Sequence, residues 1–285
     1  MKKNLFVVIV LVLVVILEQT GPSIKAATAN ELFESNVQTS RDPATRLARR
    51  IVRELRDELA PVEDQIRNVP FLTALEAGEV SNAQLEAFAC EEFNIVNRDL
   101  RSNALLVSRF GASPSGTFFK GILDGEIIAL QFIIDFSAAL GLSKWNLDQC
   151  EPRAGAQAFP AYVASLAAFS NQADVAAAFL LNFPIFGENT GRMAEALQKP
   201  PYNFSAEDVA FFTFFATPVP TFDEEAIAVI AEGLRNGAKP RLIKRSARLL
   251  QAYELLSGKR WGTSRTSTII LLSTPESTME QVTVH

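Results

Sequence analysis

Hydrophobic residues recur at helical spacing along most of the chain. From Ala44 onward, Leu47, Ile51, Leu55 and Leu59 follow one another every four residues, which places them on one face of a helix. The in–out alternation typical of a strand is found only at residues 268–272. The pattern therefore predicts an all-α protein.

Glycine, proline and capping residues divide this pattern into separate helices. A first helix begins at Ala44 and is expected to break at Pro61, while Gly78 is a helix stop and Ser81 an N-cap. Ser205 and Asp208 form a capping-box-like start for a later helix. The remaining helices are predicted over residues 82–110, 116–140, 157–170, 172–198, 205–216, 222–236 and 240–258, with a loop at 146–155. About eight helices rich in phenylalanine favour a compact bundle, because such helices must be buried on more than one side.

The first 29 residues differ from the rest of the chain. Lys2 and Lys3 precede an unbroken apolar run at residues 5–17, and small residues follow at 26–29. The run is shorter than the roughly 20 residues that span a bilayer, so it favours a secretory signal peptide. An N-terminal membrane anchor is the main alternative, and a mis-assigned start codon is another. The expected localisation is exported or membrane-anchored, with a cytoplasmic protein as the alternative.

The domain organisation follows from these patterns. Residues 1–29 are the signal peptide or anchor, 30–43 a linker, 44–261 one helical domain, and 262–285 a tail predicted to be disordered because it is rich in serine and threonine. The net charge of −5 gives no reason to expect nucleic acid as a partner. Cys90 and Cys150 could pair, but they are expected to be free thiols, since two cysteines do not make a disulfide framework.

Several acidic residues fall on apolar helix faces. Glu126 lies four residues from both Ile122 and Leu130, and Glu92 and Asp99 are seven apart on one face. A buried acid is costly unless it is paired or neutralised. These positions predict a polar pocket lined by Glu92, Glu126, Glu188 and Glu254, with Tyr162 and Tyr253 adding hydroxyl groups or stacking faces. The alternative is a set of ion pairs, such as Glu188 with Arg192, or simple exposure.

Four segments together resemble the TenA/PQQC family, which has a heme-oxygenase-like helical fold. They are residues 69–88 with the Pro-Phe pair at 70–71, the Phe-Pro-Ala-Tyr sequence at 159–162, the segment 177–191, and the Tyr-Glu pair at 253–254. The resemblance covers about residues 60–260. It implies an all-α, compact multi-helix heme-oxygenase-like bundle for this chain.

The resemblance also assigns roles to individual positions. In the TenA type, thiaminase II, a cysteine attacks the aminopyrimidine ring, and Phe183 matches that position although it carries no nucleophile. The aspartate that binds the aminopyrimidine is matched by Glu92, and its aromatic neighbours by Asn94 and Ile95. The acid–base glutamate is matched by Glu254. The heme-binding branch needs a histidine ligand, whereas the single histidine here is His285, outside the domain.

These positions imply a divergent TenA/PQQC-like protein that binds a small nitrogen heterocycle such as a thiamin-related aminopyrimidine. It would hydrolyse or otherwise transform that ligand without a cysteine nucleophile, as a C–N hydrolase or a cofactor-free oxidase. Glu92 and Glu254 are the catalytic candidates, and the ligand-binding candidates are Tyr162, Tyr253, Phe183, Glu188 and Glu126. The alternatives are a non-catalytic small-molecule-binding or regulatory protein and, more weakly, a carboxylate-bound di-metal oxidase.

The sequence leaves open whether the protein is an enzyme at all. No cofactor and no metal are expected under the main interpretation. The expected partner is a small-molecule ligand and not nucleic acid. Assembly into a homo-oligomer and membrane attachment through residues 5–17 both stay open.

Overall fold

The computed structural model describes residues 42–111, 115–259 and 261 of the chain. Those residues contain helices and no strand, which confirms the predicted all-α class. The helices are α1 (Pro43–Arg67), α2 (Pro70–Glu76), α3 (Asn82–Phe110), α4 (Ser115–Ala139), α5 (Lys144–Asp148), α6 (Ala158–Phe169), α7 (Gln172–Leu197), α8 (Ala210–Ala216), α9 (Phe222–Arg235) and α10 (Pro240–Gly258).

The predictions for the two ends of the chain concern residues that the structure does not describe. The proposed signal peptide or anchor, nearly all of the linker and the tail at 262–285 lie outside the described residues. Among the helices that are described, none combines the length and apolar character needed to cross a membrane.

Helix α7 is the central element of the bundle. It is contacted by α2, α6, α8, α9 and α10, and residues 173–182 are all buried. Asn171 caps its start, accepting a hydrogen bond from the backbone N–H of Asp174 at 3.0 Å. The alanines of its first half let neighbouring helices come close: a Cβ added at Gly233 of α9 would lie 2.5 Å from the Cβ of Ala173. This tight packing fixes the side chains that α7 presents to the interior.

Helices α3 and α4 pack against each other and complete the interior with α6, α8 and α10. Aromatic residues join these elements. Phe88 of α3 stacks between Phe71 at 5.4 Å and Phe212 at 5.7 Å between ring centroids, and the buried Trp261 meets both Phe71 and Phe88 edge-on. Such aromatic pairs stabilise the fold by more than the burial of their apolar area alone. They fix α3, which carries several of the acidic residues discussed above.

Three local predictions were wrong. Helix α1 continues through Pro61, which is exposed, so that water can replace the one backbone hydrogen bond that proline removes. Ser205 and Asp208 do form the expected reciprocal bonds, but residues 206–209 make turns and α8 begins only at Ala210. The segment predicted as a loop begins within α5, a short helix capped by Ser143.

The expectation that both cysteines are free was also wrong. Cys90 on α3 and Cys150 after α5 form a disulfide, with their Cα atoms 6.0 Å apart. The next residue on α3, Glu91, is buried and accepts hydrogen bonds from the backbone N–H and Nε of Arg153, at 2.9 and 2.8 Å. Gln157 donates a further bond to Glu91 at 3.2 Å. The chain from 150 to 157 is therefore tied to α3 beside Glu92.

Candidate functional site

A cavity of about 50 Å³ lies inside the bundle. Six helices contribute residues to its wall: α3, α4, α6, α7, α8 and α10. The volume is a few times the smallest space that holds one water molecule. The wall consists of Glu92, Ile95, Val96, Asp99, Asn103, Glu126, Phe159, Val163, Phe179, Asn182, Phe183, Phe186, Phe211, Phe215, Glu254, Ser257 and Trp261.

Four carboxyl groups meet in this mainly apolar wall. Glu92 and Asp99 come from α3, Glu126 from α4 and Glu254 from α10, and each is at most 8% exposed. Among the lining residues that the structure describes, none is lysine, arginine or histidine. Charge on these acids is therefore not offset from within the wall, which makes the ionised forms costly.

The hydrogen bonding of these acids is uneven. Asn182 of α7 donates through Nδ2 to Glu254 Oε2 at 3.4 Å and to Gln251 Oε1 at 3.2 Å. Gln251 in turn donates to the backbone carbonyl of Leu181 at 2.9 Å, so Glu254 is held by a network anchored on α7. By contrast, three buried oxygens of the wall have no hydrogen-bond partner among the described residues: Glu92 Oε1, Asp99 Oδ1 and Asn103 Oδ1. Unsatisfied buried acceptors destabilise the fold and call for an explanation.

The environment raises the pKa of all four carboxyl groups. Burial raises the pKa of Glu126 to about 8 and that of Glu254 to about 7, where the hydrogen bond from Asn182 opposes the shift. Burial, and then the charges of Glu254, Glu91 and Glu126, raises the pKa of Glu92 well above its usual value. The pKa of Asp99 is raised likewise. Near neutral pH these groups therefore retain protons that exposed carboxyl groups would have lost.

Phenylalanines form the part of the wall nearest to solvent. Phe183, Phe186 and Phe215 are half-buried, whereas the other lining residues are buried. Phe183 stacks on Phe179 at 4.9 Å and on Phe222 at 5.5 Å between ring centroids. Phe183, which the resemblance assigns to the position of the family's cysteine, is thus held between two other rings and has no nucleophilic atom.

The structure brings some of the predicted site residues together and not others. Glu92, Glu126, Glu254 and Phe183 all line the cavity, as does Ile95. The side chain of Asn94 does not, and it donates to the carbonyl of Cys90 at 3.0 Å. The functional roles assigned to the lining residues stay predictions.

Three predicted positions lie outside the cavity wall. Glu188 is half-exposed and pairs with Arg67 at 2.9 Å, while the partner expected for it, Arg192, pairs with Glu76 at 2.7 Å. Tyr162 and Tyr253 pack on each other with ring centroids 4.9 Å apart and are partly exposed. Each tyrosine adjoins a lining residue in the sequence, and one step along a helix turns a side chain by about 100° away from the cavity.

Asn103 and Asn182 are lining residues that the sequence reasoning missed, and Asp99 was recognised only as sharing a face with Glu92. A signal for each was present. Asn103 follows Asp99 by four residues on the same helix face, and Asn182 is a polar residue inside the apolar run 179–183. The described residues contain no group of three or more histidine, cysteine or acidic side chains arranged to hold a metal ion, so they offer no ligand set for the di-metal alternative.

The helical architecture identifies the fold class of the protein. The bundle is similar to a domain from Shewanella denitrificans described as having a heme oxygenase-like fold, with a TM-score of 0.58 at 16% identity, over 73% of this chain and 89% of that one. The chain belongs to the TENA/THI-4/PQQC family, because the sequence profile of that family matches residues 56–215, more than half of its length.

Solved structures of relatives agree with this assignment. A TenA homologue of Pseudomonas syringae is similar over 85% of this chain and 97% of its own, with a TM-score of 0.61 and 14% identity. A protein of Silicibacter described as a TenA family transcription regulator is similar over 75% of this chain and 97% of its own, with a TM-score of 0.60 and 16% identity. At such identities the likeness concerns the fold. No curated protein matches the chain.

Proposed function

We propose that the protein binds a small nitrogen heterocycle of the aminopyrimidine type in the acid-lined cavity and acts on a C–N bond of that ligand. The observation that carries this proposal is the group of four buried carboxyl groups, with no basic side chain among the described residues of the cavity wall. A basic heterocycle supplies the positive charge that these residues lack and donors for the oxygens that have no partner. Membership of the TENA/THI-4/PQQC family supports a thiamin-related ligand.

Glu92 suits recognition of an aminopyrimidine. Its Oε1 is buried without a partner, and its pKa is raised by burial and by nearby acids. An amino group next to a ring nitrogen offers one donor and one acceptor side by side. A carboxyl group complements both, either as the neutral acid facing the neutral ring or as the carboxylate facing the protonated ring. Phe179 and Phe183 line the cavity and would supply apolar contacts to the ring.

Glu254 suits proton transfer in a hydrolysis that uses water. Its pKa of about 7 allows both protonation states near neutral pH, and Asn182 fixes one of its oxygens. Glu254 takes a proton from water as the water oxygen bonds to the carbon of the C–N bond. It then returns the proton to the departing nitrogen as that bond breaks. Phe183 excludes attack by a cysteine at the matched position, so no covalent enzyme intermediate forms there.

A binding or regulatory protein without catalysis is the second candidate. The small volume of the cavity favours it, since Phe183 and Ile95 occupy space at positions matched to family site residues. One solved relative is described as a transcription regulator, which is consistent with this alternative. Under this proposal Glu92 binds the same class of ligand, and Glu254 has no turnover to support.

Thermal unfolding with thiamin-related aminopyrimidines tests the proposal. A ligand that binds only the native state raises the melting temperature, by the equivalent of about 2.7 kcal/mol at one hundred times its Kd. We expect Glu92→Gln to weaken binding at least tenfold and Glu254→Gln to bind but lose turnover. Glu195→Gln, an exposed change on α7, is the matched control. Absence of any stabilisation would refute binding, and binding with no turnover in the wild type would select the second candidate.

We also infer export to an oxidising compartment. The apolar run at residues 5–17 favours it, and the Cys90–Cys150 disulfide supports it, because thiols are kept reduced in the cytosol. Mass spectrometry of the protein purified from fractionated source cells would identify both the mature N-terminus and the state of the two cysteines. A cytosolic protein that retains residues 5–17 and two reduced thiols would contradict this inference.

A further inference from the structure

The α3–α4 side of the cavity carries polar groups that the proposed reaction does not use. Asp99 and Asn103 lie one turn apart on α3, and Glu126 lies on α4, which packs against α3. Asp99 is seven residues beyond Glu92, a distance of about 10 Å along the helix axis at the usual rise per residue. A ligand group held by Glu92 therefore leaves this end of the cavity to a different group.

Two of the acceptor oxygens at this end are unsatisfied. Asp99 Oδ1 and Asn103 Oδ1 are buried without a hydrogen-bond partner, and the two residues are 7% and 1% exposed. A carboxyl group can satisfy itself by taking up a proton. The amide oxygen of Asn103 cannot take up a proton in this way, and a bound group with an N–H donor would satisfy it. The donor must be small, since the whole cavity measures about 50 Å³.

We infer that Asp99, Asn103 and Glu126 form a second subsite in the cavity, which binds a small organic cation of the amidinium or ammonium class. An amidinium group is planar and presents several N–H donors, which suit an amide oxygen and two carboxyl groups on facing helices. This inference rests on the proposed function only in that the ligand enters the same cavity. It adds a second place of contact for positive charge, at Asp99, Asn103 and Glu126, beside the contact that Glu92 makes with the ring.

The charges around Asp99 make binding depend on pH. Burial raises the pKa of Asp99, and the charges of Glu126, Glu92 and Glu254 raise it further, while Arg98 opposes the shift. Burial raises the pKa of Glu126 to about 8. Without the cation these groups hold protons, and the cation displaces them. Affinity for a cation should therefore increase as the pH rises from about 6 to about 8.5, with release of protons.

Acetamidinium and acetamide form the probe pair, since they have the same size and differ in charge and in one acceptor. Calorimetry and thermal unfolding would be run at both pH values, in two buffers of different ionisation enthalpy. We expect saturable binding of acetamidinium at millimolar concentration, at least tenfold weaker binding of acetamide, and proton release. Asp99→Asn should weaken acetamidinium binding at least tenfold. The control Asp124→Asn is the same change on the exposed face of α4 and should have no effect.

A second variant tests the subsite independently, in case Asp99→Asn fails to fold. Asn103→Leu keeps the size of the side chain, removes the unsatisfied oxygen and should also weaken acetamidinium binding at least tenfold. Equal binding of acetamide, or unchanged acetamidinium binding in both folded variants, would overturn the subsite. Acetamidinium binding with no aminopyrimidine binding would support the subsite and reject the proposed function. Aminopyrimidine binding without acetamidinium binding would support the proposed function and reject the subsite.

Discussion

Two regions of the molecule use acidic residues in opposite ways. Where α1 faces α9 and α10, four acids have basic partners: Arg49 with Glu224 at 2.5 Å, Arg56 with Asp223 at 2.6 Å, Arg248 with Glu58 at 3.0 Å, and Lys244 with Glu54. We call this the ion-paired seam. In the cavity, Glu92, Asp99, Glu126 and Glu254 line a wall whose described residues include no basic side chain.

The pKa values show what this difference means. In the seam, hydrogen bonds from Arg49 and Lys244 lower the pKa of Glu224 and of Glu54. In the cavity, burial raises the pKa of Glu126 and of Glu254. Seam acids are exposed, so their pairs contribute little to stability but help to orient α1. Cavity acids destabilise the fold when ionised, and such residues cluster at functional sites.

The largest expected effect of this contrast is on the pH dependence of stability. Folded Glu126 and Glu254 have pKa values of about 8 and about 7, above those of the unfolded chain. The native state then binds more protons than the unfolded state, and the free energy of unfolding falls as the pH rises. Each additional proton bound by the native state lowers the free energy of unfolding by about 1.4 kcal/mol for every pH unit of increase. For the two groups together, urea unfolding should show a loss on the order of 5 kcal/mol between about pH 5.5 and pH 8.

The seam acids predict the opposite slope under acidic conditions. Because Arg49 lowers the pKa of Glu224, this pair loses its contribution as the pH falls below the usual range of carboxyl groups. Stability should therefore be greatest at about pH 5 to 6. A free energy of unfolding that stays constant from about pH 5.5 to 8 would show that the cavity acids are not protonated in the folded protein.

Replacing a cavity acid by its amide should have the next largest effect. Glu126→Gln removes a group that must either hold a proton or carry a buried charge, so we expect it to stabilise the protein by about 1–3 kcal/mol at pH 8.5. At pH 5.5 the change should be small, because Glu126 is then already neutral. Denaturant unfolding at both pH values measures the difference. A loss of stability at pH 8.5 would show that Glu126 has a structural partner.

Breaking the seam should have the smallest effect. Arg56→Ala removes an exposed pair with Asp223, and we expect a loss of less than about 1 kcal/mol that shrinks further in high salt. Thermal unfolding at about 0.05 and 1 M sodium chloride would measure it. A loss of several kcal/mol, or one that salt does not reduce, would mean that the seam resembles a buried network more than a surface one.

Much of the cavity could be predicted from periodicity within single helices. The spacing of Glu126 against Ile122 and Leu130 indicated a carboxyl group on the buried face of α4, and the structure buries it. The same reasoning failed for Glu188, because its own helix offered Arg192 as a partner while the actual partner, Arg67, comes from α1. Local spacing reports which face a residue occupies, but partners on other helices depend on how the helices pack.

What the sequence by itself determined is the helical architecture, the position of most helix boundaries, and the family to which the chain belongs. The architecture and the boundaries follow from hydrophobic periodicity and from glycine, proline and capping residues, all of which act over a few residues. The family is indicated by the segments that resemble it and by the profile match over residues 56–215. Only the tertiary structure decided that Cys90 meets Cys150, that Tyr162 and Tyr253 pack outside the cavity wall, and that Asn103 and Asp99 retain unsatisfied oxygens inside it. Each of these depends on contacts between distant segments or on the exact rotation of a packed helix, which local pattern does not specify.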